Sequence, residues 1–419
     1  MYSTVRPYLK NIAVVEKDYV PRAIASTAFA VMHPHTGLRS EYLLLYLRSA
    51  AFTDFVSSKA VGIAYPAIND ANFFQGVIAV PPSAEQSRIV TRVEELMRLC
   101  DALEGKGRLE GAQHRQLVTT LLGTLTDSTS PEALTDRWQR IAAHFDILLD
   151  RPEAVDALEQ TIVQLAVRGL LVPQDLTNEP AIALLRRMRA EKDELIAKGK
   201  VKRYKPASIR GGESRLFEVP AGWEWTQLIA IATSGPANGL SPRPSELPTV
   251  FRCLTLSSTT KGYFKSDCFK YVDISTAAAQ TCCLKRGDLL IQRGNSLDYV
   301  GIAALYDGAD DEFIYPDLMM RLRLSQHVVP EYVHAYLISS EARAYFKRNA
   351  TGTQGTMRKV NQATVAQTPI PLPPLDEQSR IVARVEELRR LCANLRERLV
   401  AGQATRARLA EALAAQTAP

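Results

Sequence analysis

"PPSAEQSRIVTRVEELMRLC" occupies residues 81–100, and "PPLDEQSRIVARVEELRRLC" occupies residues 373–392. The two stretches stand 292 positions apart and agree at sixteen of twenty places. The likeness continues upstream. "EYLLLYLRS" at 41–49 answers "EYVHAYLIS" at 331–339, "IND" at 68–70 answers "VNQ" at 360–362, and "QGVIAVPP" at 75–82 answers "QTPIPLPP" at 367–374. Downstream, Leu103, Leu117 and Leu121 match Leu395, Leu409 and Leu413. A unit this long, present only twice, is a domain plus a helix and not a solenoid repeat. Two copies of one fold suggest a pseudo-twofold arrangement.

Ile89, Val93, Leu96, Cys100 and Leu103 are spaced 4, 3, 4 and 3 residues apart, as are Ile381, Val385, Leu388, Cys392 and Leu395. That spacing is a coiled-coil seam on a long helix. A double proline precedes each helix, and Glu85 or Glu377 places negative charge in its first turn, where the helix end is positive. Two matching narrow seams are expected to bury against each other. The plainer alternative is that each helix packs on its own domain.

The chain has 419 residues, 46% hydrophobic and 23% charged, with a net charge of +6. This is the balance of a globular protein with room for two or three cores. The mild basicity means that an acidic partner must be met by local patches. Cys100, Cys253, Cys268, Cys282, Cys283 and Cys392 form no C-x-x-C pair, and two of them lie on the apolar stripes, which reads as reduced, buried thiols in a cytoplasmic protein. The start "MYSTVRPYLK" has neither signal-peptide nor transit-peptide character, and no apolar run approaches the ~20 residues of a membrane span.

Ahead of the second helix, "GDLLIQRGN" at 287–295, "VGIAALYDG" at 300–308 and "LMMRLRL" at 318–324 read as strands, and 330–350 reads as one helix. The polar loop "TGTQGTMRKVNQATV" at 351–365 is the kind of segment in which recognition tends to sit. Between the copies lies a helical stretch, and residues 186–210 hold ten Lys or Arg against three acidic residues. Such an excess suits a solvated linker or a phosphate contact. Catalytic signatures are missing: there is no phosphate-binding glycine loop and no dinucleotide turn. His33 and His35 lack companions for a metal site. Asp317 has no Glu-x-Lys downstream for a metal-dependent nuclease.

The expected fold class is α+β, with two repeated α/β domains, each followed by a long helix. The boundaries are 1–80 for the first domain, represented by its C-terminal part only, and 81–126 for the first helix. A helical connector with a basic linker covers 127–215, the second domain 216–372 and the second helix 373–419.

With "EQ.RIV.RVEEL" written twice, "FEVPAGWEWTQL" at 217–228, "LVPQDLTNEPAIALLRRMRAEKDELI" at 171–196 and "STVRPYLKNIAVV" at 3–15, the sequence resembles the specificity (S) subunit of type I restriction-modification systems. The resemblance implies that each α/β domain is a target recognition domain reading one half of a bipartite sequence in double-stranded DNA. It implies that the two helices pair as an antiparallel coiled coil that acts as a ruler. Methyltransferase (M) subunits using S-adenosylmethionine, and a motor/endonuclease (R) subunit using ATP and magnesium, would be the partners. The chain itself would then be non-catalytic, with no cofactor or metal. A helix of about 38 residues rises about 57 Å, which bounds the gap between half-sites below about 17 base pairs at roughly 3.4 Å per pair. The rival readings are a coiled-coil adaptor with no DNA role, a self-sufficient nuclease or methyltransferase, and a non-functional fragment of such a subunit.

Base reading in the major groove requires donors and acceptors on loops. In the second domain the candidates are Arg293, Asn295 and Ser296, together with Thr353, Gln354, Thr356, Arg358, Lys359 and Asn361. In the first they are Thr4, Arg6, Tyr8 and Lys10, with Tyr65 and Asn69. Their Arg and Lys side chains are expected to hold phosphates as often as bases. Aligned at a shift of 290, Met1 falls opposite Ile291, while the second domain opens near Phe217. About 74 residues of the second copy therefore have no counterpart, and the first domain is expected to expose strand edges.

Overall fold

The computed structural model describes residues 1–15, 19–21, 23–128, 130–175, 177–199, 201, 216–352 and 357–417. They form two compact units, Met1–Gln113 and His114–Pro419. Mixed helix and sheet is found in both. Connector, second α/β domain and second helix share one large core, so the sequence divides the chain more finely than its packing does.

In the first unit β1 (Tyr2–Ser3) pairs antiparallel with β2 (Phe29–Ala30), Tyr2 lying opposite Ala30. Ile12 bridges the other side of Tyr2. Helices α1 (Ser40–Arg48), α2 (Ala50–Lys59) and α3 (Asp70–Phe73) follow. Their apolar sides close on Tyr2, with the rings of Phe52 and Phe73 at 5.6 and 5.1 Å from the tyrosine ring. Helix α4 (Ser83–Thr126) begins in this unit. Buried Gln86 fastens its start: its Oε1 accepts from the Arg39 N–H at 2.9 Å, and its Nε2 donates to the carbonyls of Gly37 and Pro81.

In the second unit the end of α4 packs with α5 (Pro131–Ala142), α6 (Phe145–Leu148), α7 (Pro152–Val167) and α8 (Ala181–Ala197). Strands β3 (Glu224–Gln227), β4 (Ala232–Asn238), β5 (Phe251–Leu254) and β6 (Phe269–Val272) come next, then α9 (Thr276–Cys282). They are followed by β7 (Leu289–Gln292), β8 (Gly294–Asn295), β9 (Ala303–Leu305), β10 (Phe313–Ile314) and β11 (Met319–Leu324). Helices α10 (Pro330–Leu337) and α11 (Ser340–Asn349), strand β12 (Arg358–Lys359), helix α12 (Gln362–Ala366), strand β13 (Pro369–Leu372) and helix α13 (Leu375–Thr417) complete the unit. The main sheet runs β4-β11-β7-β9 and a smaller one β10-β5-β6, while β13 pairs with β3 and β12 with β8.

Two expectations are corrected. The single helix over 330–350 is two, because Ser339 turns extended (ψ 161°) and its hydroxyl caps α11 through the Ala342 N–H. Ser49, at the corresponding place of the first copy, breaks α1 from α2 in the same way. Cys100 is exposed and not buried, whereas Cys253 and Cys392 are buried, and burial pushes the Cys253 thiol up to about 11. The two seams differ in their surroundings. Ile381, Val385 and Cys392 are buried in the second unit's own core, where α13 lies along α7 with Arg389 and Arg396 paired to Glu159. Leu96 and Leu103 of the other seam are exposed.

Candidate nucleic-acid interface

The candidates of the second unit gather on a short strand pair, β8 with β12. Asn295 lies opposite Arg358 and Gly294 opposite Lys359. The backbone of Arg293 is held on both sides, its N–H donating to Leu318 O at 2.7 Å and its carbonyl accepting from Val360 N at 2.9 Å. Its side chain is left half-exposed. Gly294 is closely approached, since a Cβ there would lie 3.1 Å from Leu318 Cδ2 and Met357 Sδ, so that these side chains would have to shift by a few tenths of an ångström. Thr351 and Lys359 exchange backbone hydrogen bonds at 2.8 and 2.9 Å, which closes the loop between them. Arg358 Nη1 donates to Gly352 O within that loop. Thr353, Gln354 and Thr356 lie outside the described residues.

The same construction recurs in the first unit, taken by itself. Val5 bridges Ala67, the Arg6 N–H donates to Pro66 O at 2.7 Å, and Thr4 O accepts from Ile68 N at 2.9 Å. The Arg6 guanidinium sits 4.4 Å over the exposed Tyr65 ring. Tyr8 is exposed, and Lys10 reaches Arg48 O at the end of α1. The structure therefore brings Arg6 to Tyr65 as it brings Arg293 to Arg358 and Lys359, which are the groupings chosen from sequence.

Four candidates are used by the fold itself. Thr4 is 4% exposed, so its hydroxyl is not presented. Asn69 Oδ1 caps α3 through the Asn72 N–H, and Asn361 Oδ1 caps α12 through the Thr364 N–H. Asn295 Nδ2 donates to buried Gln292, and its Oδ1 accepts from Ser296 N. An asparagine reads adenine with oxygen and amide together, so one whose oxygen is committed to a cap lacks half of that contact. Arg6, Tyr8, Lys10, Tyr65, Arg293, Ser296, Arg358 and Lys359 remain half or fully exposed. Cations of this kind hold phosphates, and exposed rings stack on bases.

Sequence reasoning missed Lys59, which borders a groove of about 400 Å³ with Thr4, Ala67 and Asn69. It also missed Leu297, Tyr299 and Met357, apolar side chains exposed around β8. The signal was available, because large apolar residues inside a Gly/Ser/Asp loop have no core to enter.

The family model described as type I restriction modification DNA specificity domain matches residues 254–401. The specificity subunit of the type I restriction enzyme EcoEI of Escherichia coli is 32% identical over 93% of this chain and 67% of its own length. That of EcoAI, also from Escherichia coli, is 32% identical over 93% of this chain and 66% of its own length. A solved structure from work on complex assembly and conformational transition of the type I R-M system is 20% identical, covers 98% of this chain and 79% of its own, and has a TM-score of 0.49. The chain thus spans about two thirds of the length of the two curated relatives, and at that identity and coverage it belongs to the family of type I restriction enzyme specificity subunits.

Proposed function

We propose that this chain recognises DNA sequence for a type I restriction-modification complex, each unit contributing one reader. Carrying this reading is the recurrence, in both units, of one construction: a strand end bonded to the segment before an asparagine-capped helix, with exposed cations at the junction. Arg293, Arg358 and Lys359 would face one half-site, and Arg6, Lys10 and Tyr65 the other. Phosphate contacts fix the register, and base edges set the sequence.

Methyl transfer from S-adenosylmethionine and ATP-driven steps belong, in this reading, to M and R partner subunits. The 44 residues of α4 and the 43 of α13 exceed the span of about 38 residues from which the half-site bound was drawn. At 1.5 Å per residue each rises about 65 Å, which bounds a half-site gap below about 19 base pairs. An antiparallel pairing of the two helices belongs to the same proposal. Because α7 covers Ile381, Val385 and Cys392, it would draw on the stripe farther along α13, where Leu409 and Leu413 are exposed.

The test is to reconstitute the chain with its M subunit and measure duplex binding across a salt series. Tight, sequence-dependent binding whose log affinity falls linearly with log salt supports the reading. Salt-independent or absent binding favours a protein adaptor instead.

A further inference from the structure

Strand β7 reads Leu289, Leu290, Ile291 and Gln292, and all four side chains are buried. The first three fill apolar cores, whereas the fourth is an amide with 0% exposure. A buried amide costs stability unless its hydrogen bonds are made. Gln292 makes them in two directions. Its Nε2 donates to Leu256 O at 2.8 Å and to the hydroxyls of Thr259 and Thr260 at 2.9 and 3.1 Å. Its Oε1 accepts from Asn295 Nδ2 at 2.7 Å. One amide thus ties the Leu256–Thr260 segment to β8, the strand that pairs with Arg358 and Lys359.

The segment leads into a turn that is itself held. Gly262 N donates to Thr259 O at 3.0 Å, and Lys265 N donates to Ser258 O at 2.9 Å. His334 Nε2, on α10, donates to Gly262 O at 2.7 Å. Gly262 adopts a φ of +79°, a conformation that residues with a Cβ rarely take. Ser258 and Thr259 are buried. What the turn presents outward is Lys261, exposed and without an ion-pair partner among the described residues, and Tyr263, 52% exposed. The Lys265 ammonium lies 5.9 Å from the Tyr263 ring centre. Fixing this turn to the amide that also holds Asn295 sets where Lys261 stands before any ligand arrives.

We propose that the Thr259–Lys265 turn is a further DNA contact of the second unit and that Gln292 is its positioning residue. The Lys261 ammonium and the Tyr263 hydroxyl donate to a backbone phosphate beside the half-site. Gln292 holds that contact in register with Arg293, the next residue along the chain. The inference rests on the DNA reading above. Phosphate is the ligand that fits, because residues 259–266 read "TTKGYFKS" and offer an ammonium and a phenol with no carboxylate among them. Such a contact fixes register and carries no base information, so it is separable from base reading by Arg293.

The test uses the full chain reconstituted with its M subunit, binding a duplex that carries the sequence the complex methylates, over a salt series. Lys261→Ala should weaken binding about fivefold near about 0.15 M salt, reduce the salt slope by about one and leave the preferred bases unchanged. Lys285→Ala, which removes an exposed cation at the opposite end of β7, should change neither affinity nor slope. Gln292→Leu should release the turn, so that adding Lys261→Ala to it costs less than about twofold, whereas a merely structural glutamine leaves the cost at about fivefold. Where Gln292→Leu fails to fold, Thr260→Val, which removes one hydroxyl from the amide, takes its place, with Thr260→Ser as the rescue. Equal behaviour of Lys261→Ala and Lys285→Ala, or loss of M-subunit assembly in place of DNA affinity, overturns the inference and leaves the DNA reading standing. Absence of salt-dependent binding by the wild type overturns both.

Discussion

Gln378 Oε1 accepts the backbone N–H of Val329 at 2.9 Å, while its Nε2 donates to Pro373 O at 2.9 Å. One buried amide therefore ties the start of α13 to the N-cap of α10. Gln86 makes the same pair of bonds, to Arg39 N and Pro81 O. The glutamine written in both "EQSRIV" stretches is a joint between domain and helix. Gln378→Ala should destabilise the second unit by about 2–3 kcal/mol, because a buried donor and acceptor lose their partner. Gln86→Ala should loosen the first unit only. Denaturant unfolding with hydrogen exchange separates the two, and a loss under about 0.5 kcal/mol for Gln378→Ala would refute the joint.

Asn361 Oδ1 caps α12 through the Thr364 N–H at 2.7 Å, a role that asks only for a side-chain oxygen. Asn361→Ser keeps a capping oxygen, so stability should stay within about 0.5 kcal/mol, whereas Asn361→Ala should lose about 1 kcal/mol. The sequence methylated by the reconstituted complex should be the same for wild type and Asn361→Ser. A changed target sequence would restore Asn361 to the reading surface.

Arg293 and Lys359 should differ in kind. Lys359→Ala should weaken all duplexes alike and reduce the salt slope by about one. Arg293→Ala, if its guanidinium takes a base, should cost about 1–3 kcal/mol and relax one position of one half-site. Binding to a panel of single-base variants of the site at several salt concentrations distinguishes them, and equal loss across the panel for Arg293→Ala would assign it to the backbone.

Glu377 gives a dependence on pH. Burial raises its carboxyl above the ordinary value, with the hydrogen bonds from Trp223 and Gln174 working against that shift. The folded state thus holds the proton to higher pH than the unfolded chain. Its contribution is fully present below the unfolded carboxylate range and is lost as pH rises through the folded value. As pH rises from the ordinary carboxylate range, about pH 4, through the raised folded value, the wild type should lose stability relative to Glu377→Gln. A difference that does not change with pH would show that Glu377 is unshifted.

The repeated "EQSRIV", the double prolines and the 4,3,4,3 spacing were enough to place two long helices and the family, because helical periodicity and terminus signals are local and survive without a fold around them. Cations grouped at Arg6 and at Arg358–Lys359 were legible for the same reason. What each seam touches was not legible. Ile381 and Ile89 occupy identical sequence surroundings, yet α7 covers one stripe while Leu96 and Leu103 of the other stay exposed, since a period gives the width of an apolar face and not its occupant. The sequence likewise could not tell that Asn69 and Asn361 spend their oxygens on helix ends, a matter of backbone orientation within a few ångströms. Nor could it show that Glu377 and Trp223, 154 residues apart, would meet in a buried hydrogen bond. Burial is a property of the assembled core, and only the tertiary structure decides which copies of a repeated residue receive it.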